Sequence, residues 1–150
     1  MSTEATASNW KHLLLSEYAE RRALLSGLTL GQVTAAPGQA HSIYAELWHA
    51  ALWQDILVTR DEALYEGTWA RGERYPAQPP GALAEWTALL ERFLVGLGRA
   101  LEWTTTPERL VLETDPGVTM ADVLRGLAVH NAYHLGKIVA LRQVLGAWPA

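Results

Sequence analysis

Length, composition and charge already exclude several classes of protein. The chain has 150 residues, 49% of them hydrophobic and 19% charged, which predicts one globular domain over residues 1–150. Its net charge is −4 and it has no dense run of lysine or arginine, so we expect neither nucleic acid nor a membrane surface as a partner. The absence of cysteine excludes disulfides, thiolate metal ligands and a protein-borne sulfur nucleophile. Because we find no signal-peptide pattern and no apolar run of ~20 residues, we expect a soluble, cytoplasmic protein.

Four segments have the apolar period of an amphipathic helix. The first runs from a cap at Ser8 to a stop at Gly27, and the second begins at a cap on Ser42. The fourth begins at a capping box formed by Thr119 and Asp122. The predicted helices cover about residues 8–27, 42–60, 83–101 and 119–145.

The segments between these helices contain prolines, glycines and β-branched residues, which favour irregular structure. We predict connections at 29–40, 67–81 and 104–119. Trp69 and Tyr75 are expected to anchor the second connection, and a short extended piece is expected at 110–112 in the third. Four amphipathic helices joined by long crossover loops predict an all-α fold, a four-helix bundle.

Two histidines lie where a core residue is expected on the fourth helix. His130 and His134 are four residues apart, so their side chains share one helix face. The other members of that face are apolar: Val123, Leu127, Ile138 and Leu141. A buried polar group without a partner would cost about 1–3 kcal/mol, so each imidazole needs a metal, a carbonyl or a water molecule.

A third histidine, His49, lies on the apolar face of the second helix with Ala45, Leu52, Trp53 and Ile56. If these two helices are neighbours, the three histidines supply three nitrogen ligands to one divalent cation. Three protein ligands with an open position are typical of a catalytic site; zinc is the expected ion, and nickel or ferrous iron also suits the ligands. The alternative is three core or cleft histidines. His12 and His41 fall outside the pattern and are expected to be solvated.

Glu46 and His49 form a Glu-x-x-His pair of the kind found in di-iron bundles. The matching position before His134 is Asn131, so a dinuclear site is not expected. Glu46 remains a candidate to orient His49, or to act on a metal-bound water as a catalytic base. The alternative is a solvated carboxylate on the helix flank. Helical phase turns Asn131 and Tyr133 away from the central stripe.

Two segments, residues 41–54 and 127–138, resemble the signature segments of the DinB/YfiT-like superfamily. The likeness extends through Arg142 to residues 145–148 and so covers nearly the whole chain. It implies a four-helix bundle, often dimeric, in which one divalent metal ion is bound by His49, His130 and His134.

The resemblance implies less about activity. Some members of the superfamily are transferases or isomerases that use a low-molecular-weight thiol, so the leading hypothesis is metal-dependent transfer of such a thiol cosubstrate to a small-molecule substrate by a homodimer. A second hypothesis is metal-dependent hydrolysis with Glu46 as the base. A third is a non-catalytic metal- or ligand-binding bundle that acts in a stress response.

Overall fold

The computed structural model describes residues 3–15 and 20–149 and is mostly helical. Its helices are α1 (Thr3–Leu15), α2 (Arg21–Leu25), α3 (Leu30–Thr34), α4 (Ile43–Thr59), α5 (Glu62–Arg71), α6 (Leu83–Glu102), α7 (Pro107–Leu110) and α8 (Met120–Val144). The strands β1 (Glu113–Asp115) and β2 (Val118–Thr119) pair antiparallel. The four longest helices, α1, α4, α6 and α8, correspond to the four predicted ones. The predicted all-α bundle is therefore confirmed.

The helices that carry the histidines, α4 and α8, are neighbours, and α4 also packs against α6. Both begin at the predicted caps. Ser42 Oγ accepts a hydrogen bond from the backbone of Ala45 at 3.1 Å. Thr119 and Asp122 form the predicted capping box, in which the Asp122 carboxylate accepts from the Thr119 backbone at 3.0 Å. In the described residues no helix is both long and apolar enough to span a membrane.

The first predicted helix differs from the structure. Helix α1 begins at Thr3, so Ser8 lies inside it, and the backbone is extended at Glu20 just before α2. Residues 16–19 of the predicted helix lie outside the described residues. The predicted stop is confirmed, because α2 ends two residues before Gly27, whose φ is +72°. Arg142 on α8 holds the end of α2 in place by donating hydrogen bonds to the carbonyls of Leu24 and Ser26.

The first two predicted loops contain helices. Helix α3 lies within residues 29–40, where Thr29 and Gln32 form a capping box. The first five residues of the 67–81 segment belong to α5, which Asp61 caps and which ends at Gly72 with φ +64°. Helix α5 therefore has ten residues, with Asp61 as its N-cap and a glycine as its C-cap.

The third predicted loop has more order than expected, and its extended piece lies later than predicted. Leu110 closes the short helix α7, which begins with Pro107 at a position that proline favours. The strands that follow reverse direction through Gly117 at φ +77°. The extended piece therefore begins at Glu113 instead of 110–112.

Two apolar clusters lie along α8. The first half of the helix, from Met120 to Ala128, packs with Trp10 and Leu14 of α1. The second half, from Leu135 to Leu141, packs with α4 and α6. The histidines of α8 lie between the two clusters, so both sides of the candidate site are held by packed core.

Candidate metal centre

The fold brings the three predicted histidines together. His49 on α4 and His130 and His134 on α8 each offer a side-chain nitrogen, and these nitrogens lie within 4.8 Å of one another. The Nε2 atoms of His49 and His130 are 3.2 Å apart. Two nitrogens bound to one tetrahedral zinc at 2.0–2.1 Å would lie about 3.3 Å apart. The group can therefore hold one divalent metal ion.

His49 is oriented by the segment that follows α5. Its Nδ1–H donates to the backbone carbonyl of Arg74 at 2.7 Å, which leaves Nε2 with a free lone pair facing His130. The Tyr75 ring stacks on the imidazole with centroids 4.6 Å apart and an interplanar angle of 16°. Tyr75 thus anchors its loop, as predicted. The contribution of Arg74 was missed, because a backbone carbonyl leaves no signal in a sequence.

His134 is oriented by Glu46. Its Nδ1–H donates to Glu46 Oε2 at 2.5 Å, and Lys137 Nζ lies 2.7 Å from Oε1 of the same carboxylate. Glu46 has no exposed surface, so the interpretation as a solvated flank carboxylate was wrong. The expected partner was a different histidine, His49. Glu46 lies one turn before His49 on α4 and faces the neighbouring helix α8, so it orients His134 instead. A carboxylate that holds a metal-ligating histidine in this way is a common arrangement.

The charges of the site suit a cation. Burial raises the pKa of Glu46, but hydrogen bonds from His134 and Lys137 outweigh it, so the net shift is downward and the carboxylate stays ionised. Burial lowers the pKa of His130 to about 4, with a further contribution from the neighbouring histidines. Burial also lowers the pKa of His49. His49 and His130 are therefore neutral near pH 7, the form that binds metal.

Helical phase was expected to turn Asn131 away from the central stripe, and the residue is nevertheless buried. Its side chain is 1% exposed and donates from Nδ2 to Gln54 Oε1 at 2.9 Å, while Gln54 donates to the Phe93 carbonyl at 2.8 Å. The buried arc of α8 is wider than the stripe of the two histidines, and it includes Asn131. Tyr133 is 61% exposed, as the helical phase predicts.

The two remaining histidines are exposed, yet His41 is not simply solvated. Its ring contacts Tyr75 at 3.7 Å between centroids, and its Nδ1 lies 3.7 Å from Glu46 Oε1. His41 therefore borders the site through both residues. His12 lies on α1, outside the group of three.

Comparison with known families agrees with this geometry. The sequence model of the DinB superfamily matches residues 13–138, a span that contains α4 and all three histidines. Searches of curated proteins and of solved structures gave no significant match. Since the family match covers most of the chain, the protein belongs to the DinB superfamily.

Proposed function

We propose that the protein is a metal-dependent enzyme that transfers a low-molecular-weight thiol to an electrophilic small molecule. The observation that carries this proposal is a convergent group of three histidines in a chain that contains no cysteine. Three protein nitrogens would leave one position of a tetrahedral ion open to a small ligand. Any sulfur nucleophile must come from outside the chain.

The donor set suits a divalent ion that is to activate a thiol. Zinc fits three imidazoles, and nickel or ferrous iron would also be accepted. A divalent ion held by three neutral histidines would keep its full charge and so would favour the thiolate, the nucleophilic form of sulfur. In the reaction the thiol would release its proton to solvent, sulfur would donate an electron pair to form a C–S bond, and the leaving group would depart with its bonding pair.

The residues around the ligands support transfer over hydrolysis. The hydrolytic hypothesis requires Glu46 to accept a proton from water, but one of its oxygens accepts a hydrogen bond from His134 and the other pairs with Lys137. A carboxylate held on both oxygens is suited to orienting a ligand and not to general-base catalysis. We therefore assign Glu46 a positioning role.

The test uses cobalt as a spectroscopic substitute for zinc. Purified protein is stripped with a chelator, loaded with Co(II) and titrated with cysteine and with glutathione. We expect a thiolate-to-cobalt charge-transfer band that saturates with thiol. His134→Ala should abolish the band, whereas His12→Ala, which removes a histidine outside the group, should retain it.

Single-turnover assays with an electrophilic acceptor then test the chemistry. The proposal requires C–S product to form with thiol and metal together and to disappear when either is omitted. A product rate that does not depend on metal would contradict it. Metal binding without a thiolate band, and without product from the thiols tested, would favour a non-catalytic metal-binding bundle.

A further inference from the structure

A cavity of about 560 Å³ lies beside the group of histidines, at the end of α4. Its lining combines apolar and aromatic side chains of α4 and α5 with charged side chains at the junction of these helices and on β1. These residues come from the last turns of α4, the two-residue connection that follows it, the first turn of α5 and strand β1. Its volume falls within the range of about 300–1,000 Å³ that is usual for small-molecule sites.

The inner wall of the cavity is shared with the metal centre. The Trp53 indole makes edge contacts with His49 and His130, at centroid distances of 6.3 and 6.5 Å. The same indole lines the cavity and packs edge to face with Tyr65 at 6.2 Å. Ile56 and Leu57 complete this side, so the wall nearest the metal centre is apolar and aromatic. Such a wall suits a flat apolar body.

The outer rim of the cavity is negative. Its charged residues are three carboxylates, on Asp61, Glu62 and Asp115, and one guanidinium, that of Arg60. Arg60 pairs with Asp115 at 3.7 Å, and Asp61 caps α5 by accepting from the Leu64 backbone. Among the residues that the structure describes, Glu62 has no ion-pair partner. The rim therefore favours a cationic group over a neutral or anionic one.

We propose that this cavity binds a small molecule with an apolar or aromatic body and an ammonium group, with the body against Trp53 and Tyr65 and the ammonium at the carboxylate rim. The binding does not depend on the metal.

The test compares three probes of similar shape that differ in charge: phenethylamine, phenethyl alcohol and hydrocinnamate. Each is titrated into metal-free protein and followed by the NMR signal of the Trp53 indole N–H, which a Trp53→Phe variant identifies. We expect phenethylamine to bind at least about threefold more tightly than phenethyl alcohol, as one or two exposed charge contacts allow, and hydrocinnamate to bind most weakly.

Two variants test the carboxylate rim and the aromatic wall of the cavity separately. Glu62→Gln combined with Asp115→Asn should abolish the preference for the amine and leave the affinity for the alcohol unchanged. Glu108→Gln, which removes a carboxylate outside the cavity, should keep the preference. Tyr65→Ala should weaken all three probes. Thermal melts confirm that each variant is folded.

Equal affinity for the three probes would overturn the inference. So would binding that changes other NMR signals and leaves the Trp53 indole N–H signal unchanged. The proposed function fails separately. If the amine binds as described but no metal-dependent C–S product forms, the cavity is a binding site and the thiol chemistry is wrong.

Discussion

Glu46 is a charged residue with no exposed surface, and its partners explain how the bundle tolerates it. An isolated buried carboxylate would cost several kcal/mol, whereas here one oxygen accepts from His134 and the other pairs with Lys137. This arrangement fixes the ring of His134 and leaves its other nitrogen free to bind a metal ion. Metal affinity should therefore depend on Glu46 although it is not a ligand.

Replacing Glu46 by Gln should weaken zinc binding by about 10- to 100-fold, because the amide orients His134 less firmly and supplies no negative charge. Competition with a chromogenic chelator measures the change. Glu66→Gln, on an exposed position of α5, is the matched control and should bind zinc like the unaltered protein. Affinity that stays within about twofold in Glu46→Gln would contradict the positioning role.

Gly96 of α6 illustrates how closely the buried polar network is packed. A Cβ atom at this position would lie 2.3 Å from Gln54 Nε2, the amide nitrogen that donates to the Phe93 carbonyl. Gln54 also accepts from Asn131, the neighbour of His130. The glycine thus allows a hydrogen-bonded connection between α4, α6 and α8 close to the site.

Gly96→Ala should lower the free energy of unfolding by about 1–3 kcal/mol, because Gln54 must move and lose its hydrogen bonds. Urea denaturation measures the loss. Gly98→Ala in the same helix is the control, since nothing lies within 4 Å of its added Cβ, and it should stabilise the protein by up to about 1 kcal/mol. Equal effects of the two substitutions would show that the contact with Gln54 is unimportant.

At the scale of single elements, the two helices of the metal centre depend on side-chain caps. Ser42 caps α4 and Thr119 caps α8. We expect Ser42→Ala and Thr119→Ala each to cost about 1 kcal/mol of unfolding free energy. Thr87→Ala, at an exposed position inside α6, should change stability by less than about 0.5 kcal/mol. Chemical denaturation of the three variants checks this, and a cap substitution as mild as Thr87→Ala would be the contrary result.

The elements also show what the sequence could predict. Helical spacing placed polar rings on apolar helix faces, and this pattern predicted His49, His130 and His134. The pattern is local to each helix, so it is retained in the folded structure. Helix α5 was missed because its glycines at 67 and 72 resemble loop signals, although Gly72 is a helix stop and Gly67 lies inside the helix. The loop after α5 supplies the Arg74 carbonyl to His49, so a missed element hid part of the site.

The sequence also did not predict contacts between side chains on different helices. The pairing of Glu46 with His134 depends on how α4 and α8 pack, which no single-helix pattern contains. Asn131 is buried for the same reason, since its partner Gln54 comes from α4. The sequence therefore predicted the three histidines that converge and not the residues that hold them in place.

At the scale of the whole molecule, a bound ion would link α4 to α8 between two apolar clusters. A ligand that binds only the folded state stabilises it by about 2.7 kcal/mol at a hundredfold excess over its dissociation constant. Adding zinc to chelator-treated protein should therefore raise Tm, and His130→Ala should remove most of the increase. A thermal melt that zinc leaves unchanged would argue against binding within the folded bundle.

The most direct measurement is the metal content of untagged protein purified without added metal, determined by elemental analysis. We expect about one divalent ion per chain, lost in folded His49→Ala and in folded His134→Ala and retained in His12→Ala. Protein that carries no metal and takes up none from solution, or histidine variants that keep the ion, would contradict the assignment of His49, His130 and His134 as its ligands.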